Sequence, residues 1–309
     1  MDNAKRFLCI CHKNPDGDAI GSLLGIGLLL EQNYPDAIVG FHCKDKAPDT
    51  FNFLSGIERM QGIPFLQEGD VPIFLDCAVP HQTGMLEDVP DLFSDKYPSV
   101  CLDHHQDNPK FATVNFIVPE AASTCEIVVS FADEFGWNID SSIATSLLTG
   151  VYTDTGGLLH SNTSSCVYRT VARLLRDGAS QQKIVNSIYR TAKMSTVKLW
   201  GRVLEKISLT KEGGAISAVT QGDFRATGAD YSELTGAIDY INAVPGMRFS
   251  LLLSERDGIV KGSLRTLRDD VDVAKMAGKF DGGGHRKAAG FALPGTLQPE
   301  VRWKVVDGK

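Results

Sequence analysis

The sequence lacks the features of several common protein classes. Its seven cysteines contain no CxxC pair, and the odd number scattered along the chain indicates reduced side chains, with Cys9 and Cys101 in buried strands. The longest apolar run, at 21–30, is well short of the roughly 18 residues that a membrane-spanning helix needs. The first six residues are polar and show no signal-peptide pattern, so a cytoplasmic location is expected.

The chain also lacks an excess of positive charge. Its formal net charge is −7, which argues against a long basic track for duplex DNA or extended RNA. Short nucleotides held by a few local cations remain compatible with this charge. With 43% apolar and 22% charged residues, the composition is that of a globular protein, and 309 residues predict two domains.

Strand and helix patterns alternate in the first half of the chain. Such alternation predicts an α/β fold with a mostly parallel sheet flanked by helices. The predicted strands are 6–11, 37–42, 71–76 and 98–102, and the predicted helices are 18–32, 122–136, 141–152 and 164–177.

The pattern changes after a segment with apolar residues at loose helical spacing, which we interpret as a linker helix over 188–207. The residues before it, 1–187, form the first predicted domain, and 208–309 form a second, smaller α/β domain. In that domain we expect hairpins at 206–220 and 249–264, helices at 231–242 and 271–279, and strands at 288–293 and 301–306.

Acidic and imidazole side chains follow several predicted strands. They are His12, Asp16 and Asp18 after the first strand, Asp76 after another, Asp103-His104-His105 after the last, and Asp154 after a predicted helix. Each alone could be a helix cap or turn residue, and Gly17 is expected to turn the chain so that Asp16 and Asp18 share a cavity. Together, at the sheet edge where α/β proteins bind ligands, they would repel each other without cations. Mixed carboxylate and imidazole ligands favour manganese or a similar divalent ion, and paired ions with a bridging water cleave phosphoesters.

A glycine-rich segment near the end of the chain is a second candidate site. Gly282, Gly283 and Gly284 expose backbone N–H groups that could form an anion-binding nest, and His285 lies beside them. The alternative is a glycine cap of the helix at 271–279. Ser263 and Arg265 should share one face of a strand, which could be a binding surface or a solvated hairpin face.

These motifs together resemble the DHH phosphoesterase superfamily, in the nanoRNase and pAp-phosphatase (oligoribonuclease-like) branch with a DHHA1-type C-terminal domain. The resemblance implies that His12, Asp16 and Asp76 hold one metal ion, and that Asp18, Asp76, His104 and Asp154 hold a second. It implies that His105 contacts the scissile phosphate or the attacking water, and that Asp103 orients a ligand histidine. The implied cofactor is two Mn²⁺ ions, with Mg²⁺ or Co²⁺ as alternatives. The implied substrate-binding residues are Arg265, Gly282, Gly283, Gly284 and His285.

The expected function is a manganese-dependent phosphodiesterase or phosphatase that uses a metal-bridging hydroxide. Its expected substrates are short oligoribonucleotides, linear dinucleotides such as pApA and pGpG, and 3′-phosphoadenosine 5′-phosphate (pAp). An inorganic pyrophosphatase or exopolyphosphatase with the same metal ligands is the alternative, followed by a non-catalytic nucleotide-binding regulator. The expected partners are short RNA or nucleotides, without long duplexes or membranes, and a homodimer is left open.

Overall fold

The first of two compact units contains a parallel sheet. The computed structural model describes residues 4–298, and the units divide between Thr191 and Ala192. The sheet has the order β3-β2-β1-β4-β5-β6, and all its neighbouring strands are parallel, which confirms the predicted fold class. Its strands are β1 Arg6–Cys11, β2 Ile38–His42, β3 Met60–Gln61, β4 Asp70–Leu75, β5 Val100–Asp103 and β6 Val114–Ile117.

The central strand β1 is buried on both faces, which explains its unbroken apolar sequence. Phe7, Cys9 and Cys11 belong to the core that the helices cover, while Leu8 and Ile10 belong to a smaller core on the other face. The helices of this unit are α1 Gly17–Asn33, α2 Thr124–Glu134, α3 Ser141–Asp154, α4 Ser165–Arg176 and α5 Gln181–Ile184. Among residues 4–298, no helix is long and apolar enough to cross a membrane.

Glycines allow α1, α2 and α3 to pack closely. A Cβ atom at Gly21 would lie 2.5 Å from the carbonyl oxygen of Ser146, and one at Gly150 would lie 2.3 Å from Cys125 Sγ. At Gly17, a Cβ would lie 2.4 Å from the side chain of Thr153. Gly17 is the first residue of α1. Glycine is therefore needed at this position for close packing against Thr153. The prediction that Gly17 forms a tight turn is wrong.

The second unit contains a mixed sheet with the order β11-β12-β10-β9-β8-β7. Its strands β8 and β9 are parallel, and the other neighbours are antiparallel. The elements are α6 Met194–Glu205, β7 Ser208–Leu209, β8 Gly214–Val219, α7 Gln221–Thr227, α8 Ala237–Asn242, β9 Phe249–Arg256, β10 Ile259–Arg265, α9 Val273–Gly278, β11 Gly283–His285 and β12 Ala288–Pro294.

Two layers of helices cover different parts of this second sheet. Val273 and Ala277 of α9 pack on one face against Leu264, Ala289 and Phe291. On the other face, α6 and α8 pack against the side of the sheet formed by β8 and β9, around Leu252. The β10, β12 and β11 side of that second face keeps exposed or half-buried residues.

The short elements differ from the sequence expectations. The expected linker helix over 188–207 is helical only in α6, because a π-helical turn, Val185–Tyr189, and a break precede it. The helix expected over 231–242 is a 3₁₀ turn, Tyr231–Leu234, followed by α8. The short strands β3 and β6 and the helix α7 were not expected, and the expected strand at 301–306 lies outside the described residues.

We predict that Gly21→Ala lowers the free energy of unfolding of the first unit by about 1–3 kcal/mol, because the new methyl group would overlap a backbone carbonyl. Gly201→Ala is the control in a helix of the second unit, since Gly201 lies in α6 and its Cβ would meet no atom within 4 Å. The control should be neutral or stabilising by up to about 1 kcal/mol. Urea denaturation of both variants checks this. Equal changes in the free energy of unfolding in both variants would contradict the prediction, because they would mean that α1 and α3 can move apart without loss of stability.

Candidate metal site

The predicted acidic and imidazole residues meet at the carboxyl edge of the parallel sheet. His12 follows β1, Asp76 follows β4, and Asp103 ends β5. Asp16 and Asp18 lie at the start of α1, and Asp154 is the last residue of α3. This edge opens as a pocket of about 410 Å³, which Lys13 and Gln82 also line.

Asp76 occupies the centre of the cluster. Its Oδ2 atom lies 3.4 Å from Nε2 of His12, and its Oδ1 atom lies 3.6 Å from Nε2 of His104. The hydroxyl of Thr124 donates to Oδ1 at 3.1 Å. Asp76 is 3% exposed and has a left-handed backbone with a φ of 56°. Each carboxylate oxygen thus faces a different histidine.

The potential metal-ligand atoms form two groups of three residues. Within each group, one ligand atom from each residue lies within 4.8 Å of the others. The first is His12, Asp16 and Asp76, and the second is Asp18, His104 and Asp154. Asp76, His104 and His105 form a third, overlapping group. The structure therefore brings together every residue that the sequence placed in the metal site.

Two histidine rings are oriented by backbone carbonyls. Nδ1 of His12 lies 2.8 Å from the carbonyl oxygen of Lys13, and Nδ1 of His104 lies 3.3 Å from that of Ala121. A neutral imidazole that donates from Nδ1 keeps its lone pair on Nε2. In both rings Nε2 is the atom that faces the carboxylates.

The amino terminus of α2 holds the buried carboxylate of Asp18. Backbone N–H groups of Thr124 and Cys125 donate to its two oxygens at 2.6 and 2.9 Å. This site also benefits from the positive end of the helix dipole. The sequence predicted a helix near residue 122, but nothing in it indicated that the first turn of this helix binds a carboxylate 106 positions earlier.

Asp103 contacts a different histidine ring from the one expected. Its Oδ1 atom lies 2.8 Å from Nδ1 of His105, and Asn108 donates to Oδ2 at 2.7 Å. His104, the predicted ligand, contacts this carboxylate only through its backbone N–H. Asp103 therefore orients the ring of His105. Asn108 was missed because its role depends on how the loop after β5 folds back.

Burial and charge set the protonation of these groups. Burial, reinforced by repulsion from Asp18 and Asp76, raises the pKa of Asp154 to about 9. Burial and the charge of Asp76 raise the pKa of Asp18 to about 8. Burial alone would lower the pKa of His12, but hydrogen bonds to Asp16 and Asp76 outweigh it and raise that pKa to about 11.

The donor set fits divalent metal ions. In the described part of the chain, no lysine or arginine nitrogen forms an ion pair within 4.0 Å of these carboxylates. The ligand groups found there contain oxygen and nitrogen donors and no cysteine. Carboxylates whose pKa values are raised by burial and by mutual repulsion would be stabilised by a cation among them.

The predicted substrate-binding residues lie in the second unit. Ala288 of β12 pairs with His285 on one side and with Arg265 on the other, so all three share one face. Gly283 and Gly284 form the edge strand β11 with His285 instead of the expected open nest, because they pair with β12. Gly282 donates its N–H to the carbonyl of Ala277, although α9 itself ends at Gly278 with Lys279 as its C-cap.

Gly283 differs from its two neighbours. A Cβ at Gly282 would lie 2.3 Å from the carbonyl oxygen of Gly290, and one at Gly284 would lie 2.6 Å from that of Ala288. At Gly283 a Cβ would meet nothing within 4 Å. Sheet packing therefore requires the outer two glycines, whereas Gly283 leaves open space on the face that it shares with His285.

Comparisons with known proteins give consistent matches. Residues 6–151 match the model of the DHH family, N-terminal domain, and residues 213–306 match that of the DHHA1 domain. The bifunctional oligoribonuclease and PAP phosphatase NrnA of Thermus thermophilus is 32% identical, over 96% of this chain and 86% of the relative. The Bacillus subtilis protein of the same name is 25% identical, over 91% and 87%.

Solved structures are also similar over nearly the whole chain. An exopolyphosphatase-related protein from Bacteroides fragilis has a TM-score of 0.81 and 26% identity, with 96% of this chain and 89% of that chain covered. The similarity supports the two-unit architecture described above.

We predict that Asp103→Asn lowers the pKa of His105 in the metal-free protein. The hydrogen bond to Asp103 is the largest cause that raises this pKa to about 9. Because the folded-state pKa lies above the ordinary value of about 6.5, protonated His105 stabilises the fold fully below pH 6.5, and the contribution is lost as the pH rises through 9. NMR titration of the histidine rings measures the shift. Asp107→Asn, which removes an exposed and less influential charge, is the control, and an equal shift in both variants would contradict the assignment.

Proposed function

Since the chain belongs to the DHH family and carries a DHHA1 domain, we propose that it is a metal-dependent phosphoesterase for short oligoribonucleotides, linear dinucleotides and pAp. The observation that carries this proposal is the position of Asp76, whose two oxygens face two histidines in two adjoining ligand groups. The relatives named for oligoribonuclease and PAP phosphatase activity support the choice of substrates.

The proposed cofactor is a pair of Mn²⁺ ions, with Mg²⁺ or Co²⁺ as alternatives. His12, Asp16 and Asp76 would hold one ion, and Asp18, Asp76, His104 and Asp154 would hold the other. The four aspartates would balance the charge of two divalent ions. When bound, such ions supply Lewis-acid polarisation of a phosphoryl oxygen and lower the pKa of a water molecule.

His105 is the proposed hydrogen-bond donor to the reacting phosphate. With a pKa raised to about 9, its ring carries protons on both nitrogens at neutral pH. Nδ1 donates to Asp103, whose own pKa is lowered because hydrogen bonds from His105 and Asn108 outweigh its burial. Nε2–H then remains for a phosphoryl or leaving-group oxygen.

The second unit is proposed to hold the non-reacting end of the substrate. Arg265 and His285 share one face, and in the described residues neither forms an ion pair with a carboxylate. Gly283 leaves space beside them for a phosphate. This unit would select nucleotides, while the first unit would supply the chemistry. The cytoplasmic location and the homodimer stay predictions.

Hydrolysis of pyrophosphate or polyphosphate is the second candidate, because the similar solved structure is described as exopolyphosphatase-related. The same metal ligands would serve that reaction. The two functions differ in whether the substrate contains a nucleoside for the second unit to bind. A substrate panel therefore separates them.

We predict that manganese raises the melting temperature of the protein. Ions that bind only the folded state stabilise it by about 2.7 kcal/mol at a hundredfold excess over their dissociation constant. For a unit of this size, the shift should be about 5–10 °C. Differential scanning calorimetry with manganese and with chelator measures it. Asp76→Asn should abolish most of the shift, and Asp88→Asn, at an exposed surface pair with Lys44, should retain it. Unchanged melting of the native protein would contradict the metal site.

We predict that His285→Ala and Arg265→Ala each lower kcat/KM for pAp and pApA by about 10–150-fold, since a hydrogen bond to a charged group contributes about 1.5–3 kcal/mol. Metal content should stay unchanged. A small activated phosphodiester should be hydrolysed almost normally by both variants. Lys275→Ala, on α9 over the opposite face, is the control. Turnover of pAp, pApA, pGpG, short RNAs and pyrophosphate is quantified in parallel, and hydrolysis of pyrophosphate alone would replace the proposed function by the second candidate.

A further inference from the structure

One lysine lines the metal pocket without contacting its carboxylates. Among the described residues that line this pocket of about 410 Å³, Lys13 is the single lysine or arginine. Its side chain is exposed, and within residues 4–298 it forms no ion pair, whereas the neighbouring Lys44 pairs with Asp88. A cation beside an acidic cluster is expected to pair with it, so the position of Lys13 needs an explanation.

The backbone and a glycine hold Lys13 away from the acidic cluster. Its N–H donates to the carbonyl oxygen of Gln82 at 2.8 Å. Its side chain lies along Gly84, where a Cβ atom would be 3.2 Å from Cδ of Lys13 and 2.8 Å from Cδ of Lys44. The two lysines share this glycine, but Nζ of Lys44 donates to the carbonyl oxygen of Gly84 and to Asp88. The ammonium group of Lys13 is therefore the one available to a ligand.

Gln82 presents a second donor to the same pocket. Its Oε1 atom accepts the backbone N–H groups of Ala78 and Val79 at 2.6 and 3.4 Å. Because an amide carries its oxygen on one side and its NH₂ group on the other, Nε2 faces away from these two donors. In the part of the chain that the structure describes, Nε2 has no hydrogen-bond partner, and Gln82 lines the pocket. An ammonium group and an amide NH₂ group thus lie at one rim.

The other charges of the pocket leave the charge of Lys13 unbalanced. If four aspartates balance two divalent ions, as proposed above, the protonated ring of His105 is balanced by Asp103, whose Oδ1 lies 2.8 Å from Nδ1. Lys13 then adds a positive charge that no carboxylate of the pocket offsets. A phosphodiester carries one negative charge, whereas a phosphomonoester carries nearly two at neutral pH because its second pKa is about 6. The monoester also has a third terminal oxygen, which requires a donor of its own.

We propose that Lys13 and Gln82 form a subsite for the third terminal oxygen of a phosphomonoester at the metal site. The proposal rests on the proposed function, and it identifies residues that would let one metal site act on pAp as well as on dinucleotides. In a diester, an ester oxygen with its nucleoside replaces this terminal oxygen, so the diester gains little from an ammonium group there. The subsite therefore favours the phosphatase reaction over the diesterase reaction.

Kinetics of full-length, manganese-loaded variants on pAp and pApA test the subsite. Lys13→Ala should lower the ratio of kcat/KM for pAp to that for pApA by about 10–150-fold, as for a lost hydrogen bond to a charged group. Lys13→Arg keeps the charge and should keep most of the ratio. Gln82→Glu should also lower the ratio. Its carboxylate can still accept the N–H groups of Ala78 and Val79, but it replaces the donor in the pocket by a negative acceptor.

Lys44→Ala is the matched control. It removes a lysine that packs on the same glycine but whose ammonium group already pairs with Asp88, so the ratio should stay unchanged. The metal content of every variant is measured, and unchanged content separates the subsite from an effect on metal binding. A ratio that stays constant in both Lys13→Ala and Gln82→Glu, or that falls equally in Lys44→Ala, would overturn the subsite while leaving the phosphoesterase function intact.

Binding of two small anions separates the subsite from the proposed function. ³¹P NMR titrations of the magnesium-loaded native protein and of Lys13→Ala compare orthophosphate, which has the additional terminal oxygen, with dimethyl phosphate, which lacks it. Weaker binding of orthophosphate alone by the variant supports the subsite even if no nucleotide is hydrolysed, an outcome that would reject only the phosphoesterase proposal. Equal weakening of both anions, or native protein that does not bind orthophosphate, would overturn the subsite.

Discussion

Electrostatic repulsion among buried carboxylates is the constraint on which the first unit depends. Asp18, Asp76 and Asp103 are almost completely buried at one sheet edge, with Asp16 and Asp154 beside them. Each is held by groups from other elements: the amino terminus of α2 binds Asp18, Thr124 binds Asp76, and Asn108 binds Asp103. The close contacts of Gly21 and Gly150 with Cys125 bring α2 close enough to α1 to bind Asp18. Close helix packing and site geometry are thus one requirement.

The two units have complementary electrostatics. Among residues 4–298, the clustered carboxylates of the first unit form no ion pair with lysine or arginine, and Arg265 on one sheet face of the second unit forms none with a carboxylate. The overall charge of −7 conceals this division.

The sequence predicted most of the site because the ends of parallel strands are readable as apolar runs followed by polar residues. His12, Asp76 and Asp103 were found in this way, and Asp154 by its position after an apolar helix. Thr124 and Asn108 were missed, since their contacts depend on tertiary packing across many residues. The glycine segment was placed at the right position but given the wrong conformation, because it pairs with β12 in a tight hairpin around Arg286 and Lys287 that the sequence pattern did not indicate. The strand β3 has only two residues, and β6 alternates exposed and half-buried residues instead of forming a buried apolar run like that of β5.

The left-handed backbone of Asp76 has a consequence for how this sequence can change over time. A non-glycine residue in this conformation costs about 1–3 kcal/mol, and the buried charge adds to that cost in the metal-free protein. Replacement by glycine would remove both burdens, and asparagine would remove the charge. A descendant that was no longer selected for activity would therefore gain stability when it lost its central carboxylate. Its activity would be lost while its fold was retained.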